Sequence, residues 1–338
     1  MPTIRDVARE ANCSPATVSR ALSGSSVVNE ATRARIEEVA KRLDYRPNAV
    51  ARSLRRSGFQ NRMVGLIIPS VEEHNYSVGT SLLHDAMAQA GYHLVLCCHH
   101  NDPAADEAAV QSLLDRGVDA IIHVPSTREV AASRTRLTRQ LPVVELQRHS
   151  EVPGVDAVVT DVVLGAYELT RYLIGRGHDR IAMIAGFDLH SQSSARVEGF
   201  LRAINEAHLD PAKCPQFMHE YDATWGREAT GMLLDAPGER PTAIVSGSIQ
   251  ISLGVLAELQ ARGIRVPDEI SMVGLSEAEW CAVASPSLTT YEFPLKEMGL
   301  MAAQMLLNRL HPSLNDLNPR VVRFGGRIIE RESAGKIN

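Results

Sequence analysis

Two groups of residues have the types and spacing to do chemistry. The first is Ser14, Pro15, Ala16, Thr17, Ser19 and Arg20. Ser14 can accept hydrogen bonds from the amides of a helix's first turn, and Pro15 suits the first helical position, where a missing N–H costs nothing. The helix so started sets Val18, Ala21 and Leu22 on one side and leaves Ala16, Thr17, Ser19 and Arg20 on its polar sides. An arginine there offers a rigid fork of donors that matches the O6 and N7 acceptors of guanine. The second group is Cys97, Cys98, His99 and His100, donors of the kind that hold zinc. Successive strand residues point to opposite faces, so this run cannot easily converge on one ion, and no metal or other cofactor is expected.

The elements that must position the first group are short helices. Thr3 can cap a helix with Asp6 in its first turn and Ile4, Val7, Ala8 and Ala11 at helical spacing. Asn12 and Cys13 break it before Ser14, so two short helices meet at a tight turn, a helix-turn-helix. A third helix, capped by Asn29, brings Ile36, Val39, Ala40 and Leu43 over the first two. Pro47 closes that element, Asn48 can cap a further short helix and Gly58 stops it.

From Met63 the pattern changes to short β-rich runs alternating with helical stretches. Strands are expected at 64–68, 93–97, 120–124, 143–146 and 157–160, with helices near 80–90, 106–116 and 130–140. A second series follows, with strands at 181–185, 216–219, 243–246 and 271–273 and helices near 165–176, 196–207, 226–234 and 251–262. A last helix at 296–310 and strands near 321–324 and 327–329 must return to one lobe or both. The fold class is a small all-α helix-turn-helix headpiece plus an α/β core of two doubly wound parallel-sheet lobes, and ligands of such sheets bind beyond the carboxyl ends of the strands.

Charge divides the chain the same way. The 338 residues carry a net −5, but residues 1–62 hold 12 Lys and Arg against 6 Asp and Glu, leaving 23 against 34 in the remainder. Basic charge therefore collects where a polyanion would dock. The five cysteines, Cys13, Cys97, Cys98, Cys214 and Cys281, are odd in number and irregularly spaced with no apolar leader before them, which predicts reduced thiols and a cytoplasmic protein. No apolar run approaches the roughly 20 residues that span a bilayer, so no membrane partner is expected. Neither a dinucleotide-type glycine fingerprint, a nucleophile elbow nor a metal motif is present, which argues against an enzyme.

Residues 3–22, together with Tyr45, Arg46, Pro47, Asn48, Ala49, Val50, Ala51, Arg52, Ser53 and Leu54, closely resemble the headpiece and hinge of the lactose-repressor/galactose-repressor (LacI/GalR) family of bacterial transcription factors, and the resemblance extends over the whole chain. It implies a periplasmic-binding-protein-like core and a regulator, in the main a repressor. Such a regulator binds double-stranded, pseudo-palindromic operator DNA as a homodimer and answers to a small-molecule effector between the lobes. The domains would be 1–46 for DNA binding, 47–62 for the hinge and 63–338 for the effector core. The N-lobe would comprise about 63–161 and 291–321, and the C-lobe about 162–290 and 322–338. DNA contacts would come from Thr3, Ser14, Pro15, Ala16, Thr17, Ser19, Arg20, Asn29, Tyr45, Asn48, Ala51, Arg52 and Leu54, the last as an apolar wedge in the minor groove. A hinge helix of so few residues needs DNA and the dimer partner to persist.

In the core the resemblance points to Asn75, Tyr76, Asp161, Arg196, Tyr221, Ser248, Ser276 and Phe293 as effector contacts. Arg196 suits a carboxylate, phosphate or paired hydroxyls. Asp161 suits a hydroxyl or, equally, a helix cap, and Tyr221 could stack on an apolar face. The chain departs from the family where Ser248 and Ile249 replace Asn-Asp, where Leu275 and Ser276 stand in place of an aspartate, and where Phe293 replaces glutamine. Two usual acceptors for sugar hydroxyls are absent, so a sugar, sugar acid or related metabolite other than a fully hydroxylated neutral hexose is expected, with a nucleobase or nucleoside as the alternative. A solute-binding protein or cleft enzyme would share the two lobes but not the headpiece.

Overall fold

The computed structural model describes residues 4–22, 28–43, 61–126, 137, 140–150, 152–186, 191–311 and 318–337. The chain forms two compact units, Met1–Asn61 and Arg62–Asn338.

In the first unit, helices α1 (Ile4–Glu10), α2 (Pro15–Leu22) and α3 (Glu30–Arg42) enclose Val7, Ala8, Ala11, Val18, Ala21, Val28, Ile36, Val39 and Ala40. Small residues on α1 and α2 allow these short helices to approach closely. The caps form where the sequence places them: Thr17 N–H donates to Ser14 Oγ at 3.0 Å and Thr32 N–H to Asn29 Oδ1 at 2.8 Å. Asn12, at φ 46°, makes the turn in the left-handed region that asparagine tolerates.

The second unit contains two six-stranded sheets. In chain order the N-lobe supplies β1 (Met63–Ile68), α4 (His74–Gln89), β2 (His93–Cys98), α5 (Pro103–Asp115), β3 (Ala120–His123), β4 (Val143–Gln147) and β5 (Asp156–Thr160). The C-lobe follows with α6 (Val162–Ile174), β6 (Ile181–Gly186), α7 (Ser191–Glu206), β7 (Gln216–His219), α8 (Ala223–Asp235), β8 (Ala243–Ser246), α9 (Ile249–Ala261), β9 (Ser271–Leu275), α10 (Glu279–Val283) and β10 (Thr289–Glu292). Then α11 (Leu295–Leu310), β11 (Val321–Phe324) and β12 (Arg327–Ile329) complete the chain.

The sheet orders are β11-β5-β4-β3-β1-β2 and β12-β10-β9-β8-β6-β7, parallel throughout except for the β10–β12 pair. Central strands are apolar along their length because helices cover both faces. In the N-lobe Leu83 and Met87 of α4 and Met298, Ala302 and Leu306 of α11 fill one face, and Ala109, Val110 and Leu113 of α5 the other. In the C-lobe α6 and α7 supply Leu169, Phe200 and Ile204, and α8 and α9 supply Leu233, Val255 and Leu259.

The chain changes lobe at Asp161, at 293–294 and at 325–326. The last two crossings fall later than the boundaries expected at 291 and 321. β10 remains in the C-lobe sheet to Glu292, paired with Arg327 of β12, and β11 runs beside β5 to Phe324. Gly326 suits its position because a Cβ there would collide with the Glu292 carbonyl. The helices α4, α5, α6, α7 and α8 begin three to six residues before the stretches expected from the apolar periodicity. The helix expected over 130–140 falls largely outside the described residues, and α10 was not foreseen.

Candidate functional site

On α2, Pro15, Ala16 and Arg20 are exposed and Thr17 is half-buried, while Val18 and Ala21 are buried against the other two helices. The helix therefore has one face for packing and one for a partner. Ser14 Oγ and Thr17 Oγ1 lie 2.8 Å apart, so part of their hydrogen-bonding capacity is used in the cap. Asn29 likewise caps α3. Thr3, Tyr45, Asn48, Ala51, Arg52 and Leu54 lie outside the described residues, as does the hinge helix, and the side chain of Ser19 is not described.

In the core, the carboxyl ends of β1, β2, β4, β5, β6, β7, β8, β9 and β10 lead into one cavity between the lobes. Seven of the eight expected residues line it: Asn75, Tyr76, Arg196, Tyr221, Ser248, Ser276 and Phe293. Asp161 does not. Its carboxylate accepts from Leu164 N–H at 2.9 Å and caps α6, the cap alternative of the sequence reading. Ser248 Oγ similarly accepts from Ile251 N–H at 3.2 Å at the start of α9. Arg196 donates from Nη1 to Tyr221 Oη at 3.0 Å, and its guanidinium carbon lies 5.2 Å from the centre of that ring. The Tyr221 ring also lies against Gly186, where a Cβ would overlap it. Phe293 is largely buried, its ring edge-on to Tyr291 at 5.1 Å.

Glu73, Gln147 and Arg148 also line the cavity and were not foreseen. Arg148 N–H closes a γ-turn onto Leu146 O at 2.7 Å around Gln147, whose φ is 61°. This is the strained form of the turn, and it directs the residues after β4 toward the cleft. Arg148 Nη1 is anchored by Asn101 Oδ1 at 2.8 Å and Pro125 O at 3.2 Å. Burial pushes the Glu73 carboxyl up from its ordinary value against the opposing pull of Arg148 and Arg196. Tyr76, fully enclosed, is pushed up to about 12 by the same desolvation and stays a neutral hydroxyl.

The lobes touch across this cavity. Asn75 Nδ2 of α4 donates to Ser276 Oγ across the lobes at 3.2 Å, and within the N-lobe Gln147 Nε2 donates to Asn75 O at 3.3 Å. Ser276, at φ 90°, is a second strained residue at a strand end, and about 1–3 kcal/mol of strain is tolerated only where its surroundings hold it. Behind it Arg331 grips both oxygens of Glu277 at 3.0 Å each. The cavity measures about 70 Å³, and a larger space of about 760 Å³ opens beside it along 292–297 and 325–327.

Comparison with known proteins agrees with both units. Residues 3–48 match the model of bacterial regulatory proteins of the lacI family, and residues 170–334 match the periplasmic binding protein-like domain. The HTH-type transcriptional repressor PurR of Pectobacterium carotovorum subsp. carotovorum is 31% identical over 338 residues, spanning 98% of this chain and 97% of its own. The chain belongs to the LacI family. The HTH-type transcriptional regulator DegA of Bacillus subtilis is 29% identical over 88% of each chain. Among solved structures, the transcriptional regulator CelR–cellobiose complex matches with a TM-score of 0.72 and 26% identity over 98% of this chain and 100% of that one. The lac repressor dimer bound to operator and the anti-inducer ONPF matches with a TM-score of 0.73 at 24% identity over 99% of both, a likeness of fold.

This LacI-family chain is thus a DNA-binding transcriptional regulator with a small-molecule cleft, and its curated relatives are regulators. No helix among the described residues is long and apolar enough to cross a membrane, and those residues hold no cluster of three or more candidate metal ligands. The Cys97 and Cys98 run lies on edge strand β2, with both cysteines half-buried. Gln147 and Arg148 could have been found in the sequence by asking which residues follow each strand at its carboxyl end, the place where such sheets bind ligands.

Proposed function

We propose that this regulator binds its operator as a homodimer in the bacterial cytoplasm, mainly as a repressor, and that a small anionic metabolite, a sugar acid or sugar phosphate, controls it from the inter-lobe cavity. Residues 1–46 would read DNA through α2, 47–62 would form the hinge and 63–338 would sense the effector. The observation that carries the effector class is the presence of two guanidiniums in one cavity, Arg148 from the N-lobe and Arg196 from the C-lobe. Arginine forks match carboxylate and phosphate geometry. Asn75, Gln147, Ser248 and Ser276 supply neutral partners for hydroxyls. The two rings that would hold a planar ligand already have partners, Tyr221 in Arg196 and Phe293 in Tyr291, which supports the acid over a nucleobase. An effector that changes lobe closure changes the geometry of the dimer, and so its affinity for a two-fold operator.

Calorimetry with D-gluconate, D-glucose 6-phosphate, D-glucose and adenosine tests this reading. An acid should bind best, and Arg196→Ala should weaken it by about 1.5–3 kcal/mol, the worth of a charged hydrogen bond. Tight adenosine binding that Arg196→Ala leaves unchanged refutes it. For the DNA face, Arg20→Ala should relax operator choice by about 1–3 kcal/mol at one base pair, read by selection from random duplexes. An unchanged consensus removes Arg20 from that role.

A further inference from the structure

Helix α4 begins at the cleft in an unusual way. Glu73 occupies its N-cap position, yet its side chain makes no capping hydrogen bond. That side chain instead lines the inter-lobe cavity together with Arg148 and Arg196, and both arginines act on it electrostatically. No ion pair within 4.0 Å involving Glu73 occurs among the described residues, so its carboxylate lies among the two guanidiniums without being locked to either. The cavity they share, about 70 Å³, is far below the roughly 300 Å³ at the small end of ligand sites. Beside it Asn75 is bonded to Ser276, so the two lobes meet at this point.

Two cations brought from opposite lobes into one small cavity repel, and a negative charge beside them offsets that repulsion. Glu73 is the acidic side chain among the cavity's described lining residues. Building on the anionic-effector reading above, we propose that Glu73 is a tethered stand-in for the effector's anion: it offsets the repulsion between Arg148 and Arg196 where the lobes meet, and the effector's carboxylate or phosphate competes for that place. Because Glu73 sits at the first turn of α4, its displacement also changes what that helix presents at the cleft. Among the cavity's charged side chains it is the one without a hydrogen bond within the described residues, since Arg148 is bound to Asn101 and Arg196 to Tyr221. Tyr76 is buried, Arg196 is bound to Tyr221, and Gln147 is bound to Asn75. It follows that the pocket discriminates by charge, since a neutral polyol cannot replace a carboxylate between two guanidiniums.

The test is hydrogen exchange on the full-length chain, read over residues 73–77, 147–150 and 274–278, for wild type, Glu73→Gln and the double variant Glu73→Gln/Arg148→Gln. Wild type should be protected with no anion added. Glu73→Gln should exchange about 10-fold faster in these segments, and 10-fold corresponds to a coupling within the usual range between linked sites. Inorganic phosphate and, separately, acetate serve as probes, distinguishing a phosphate-type from a carboxylate-type replacement, and whichever mimics the effector should restore protection to Glu73→Gln. The double variant should be protected without either probe, because removing one cation removes the repulsion, an outcome that loss of packing cannot produce. Melting curves check that each variant folds. Glu73→Gln exchanging like wild type overturns the proposal, as does an open Glu73→Gln that neither anion nor the second substitution closes. Either result leaves the anionic-effector reading standing on the Arg196→Ala calorimetry, which fails independently.

Discussion

The two lobes build their walls of the cleft by different means. On the C-lobe side each helix following β5, β7 and β8 starts with a side-chain cap: Asp161 for α6, Asp222 for α8 at 2.7 Å from Trp225 N, and Ser248 for α9. On the N-lobe side Asp102 caps α5 through Ala104 N–H at 2.9 Å, but α4 starts at Glu73 without a cap, and the polar groups near the cleft are held in addition by buried acid–histidine contacts. A cap fixes a helix end locally, through residues three apart in sequence. A buried pair fixes it through residues brought together by the whole sheet. The C-lobe wall therefore rests on three local caps, whereas the N-lobe wall combines one cap with contacts between titratable groups far apart in sequence.

The strongest test of that difference is Asp106. Its carboxylate sits 2.7 Å from His123 Nε2 and accepts Ser126 N–H at 2.9 Å, with Asp106 2% and His123 1% exposed. Asp106→Ala leaves two buried groups without that partner, each costing about 1–3 kcal/mol, so a loss of about 3 kcal/mol is expected in denaturant unfolding. A loss under about 1 kcal/mol would mean that the N-lobe wall does not rely on this contact.

Acidification should follow, with an effect of similar size. His99 is fully buried, its Nε2 2.9 Å from Val124 O and its Nδ1 accepting from Asn101 N–H at 3.0 Å, which is the neutral Nε2–H form. Burial lowers its pKa from 6.5 to about 4, against the pull of Asp106. Above pH 6.5 the folded and unfolded chains are both neutral at this site. Below 6.5 the unfolded chain takes up the proton first, so stability falls until about pH 4, by about 3 kcal/mol in total. Glu145 acts in a different window: burial pushes its carboxyl up, but bonds from His149 and Ser150 outweigh this and hold it below its ordinary 4.5. Its contribution is present above that value and fades beneath it. In the C-lobe His178 is also lowered by burial and adds loss of the same sign. Melts of wild type and His99→Gln between pH 7 and 5 check the assignment, since the variant should lose much of the slope.

How much of this was legible beforehand depended on whether a feature was local. The caps at Ser14 and Asn29, the apolar runs of the central strands and the alternation of strand with helix are each set by neighbours within a few residues, and the sequence displays them. Asp161 was legible as an alternative, because one carboxylate cannot show from sequence whether it meets an amide or a ligand. Arg148 was hidden because its direction follows from a positive φ at Gln147, a residue type that gives no warning of it. Asp106 with His123, and Glu277 with Arg331, are contacts of α5 with β3 and of the segment after β9 with the segment after β12, which no periodicity announces.

The smallest expected effect bears on the crossing itself, where the two modes of wall-building meet. Asp161 ends β5 of the N-lobe and caps α6 of the C-lobe, its backbone N–H donating to Phe324 O at 2.8 Å and its side chain accepting from Leu164 N–H. If the cap is its role, Asp161→Asn retains an acceptor at the helix start and should change stability by a few tenths of a kcal/mol, whereas Asp161→Ala should cost about 1 kcal/mol. Neither should alter effector affinity, because Asp161 does not line the cavity while its neighbours Thr160 and Val162 do. A hydroxyl acceptor would behave in the opposite way: Asp161→Ala would weaken binding by more than it weakens the fold. Calorimetry and denaturant unfolding on the same two variants therefore decide whether Asp161 serves as the cap of α6 or gives up that cap to the ligand.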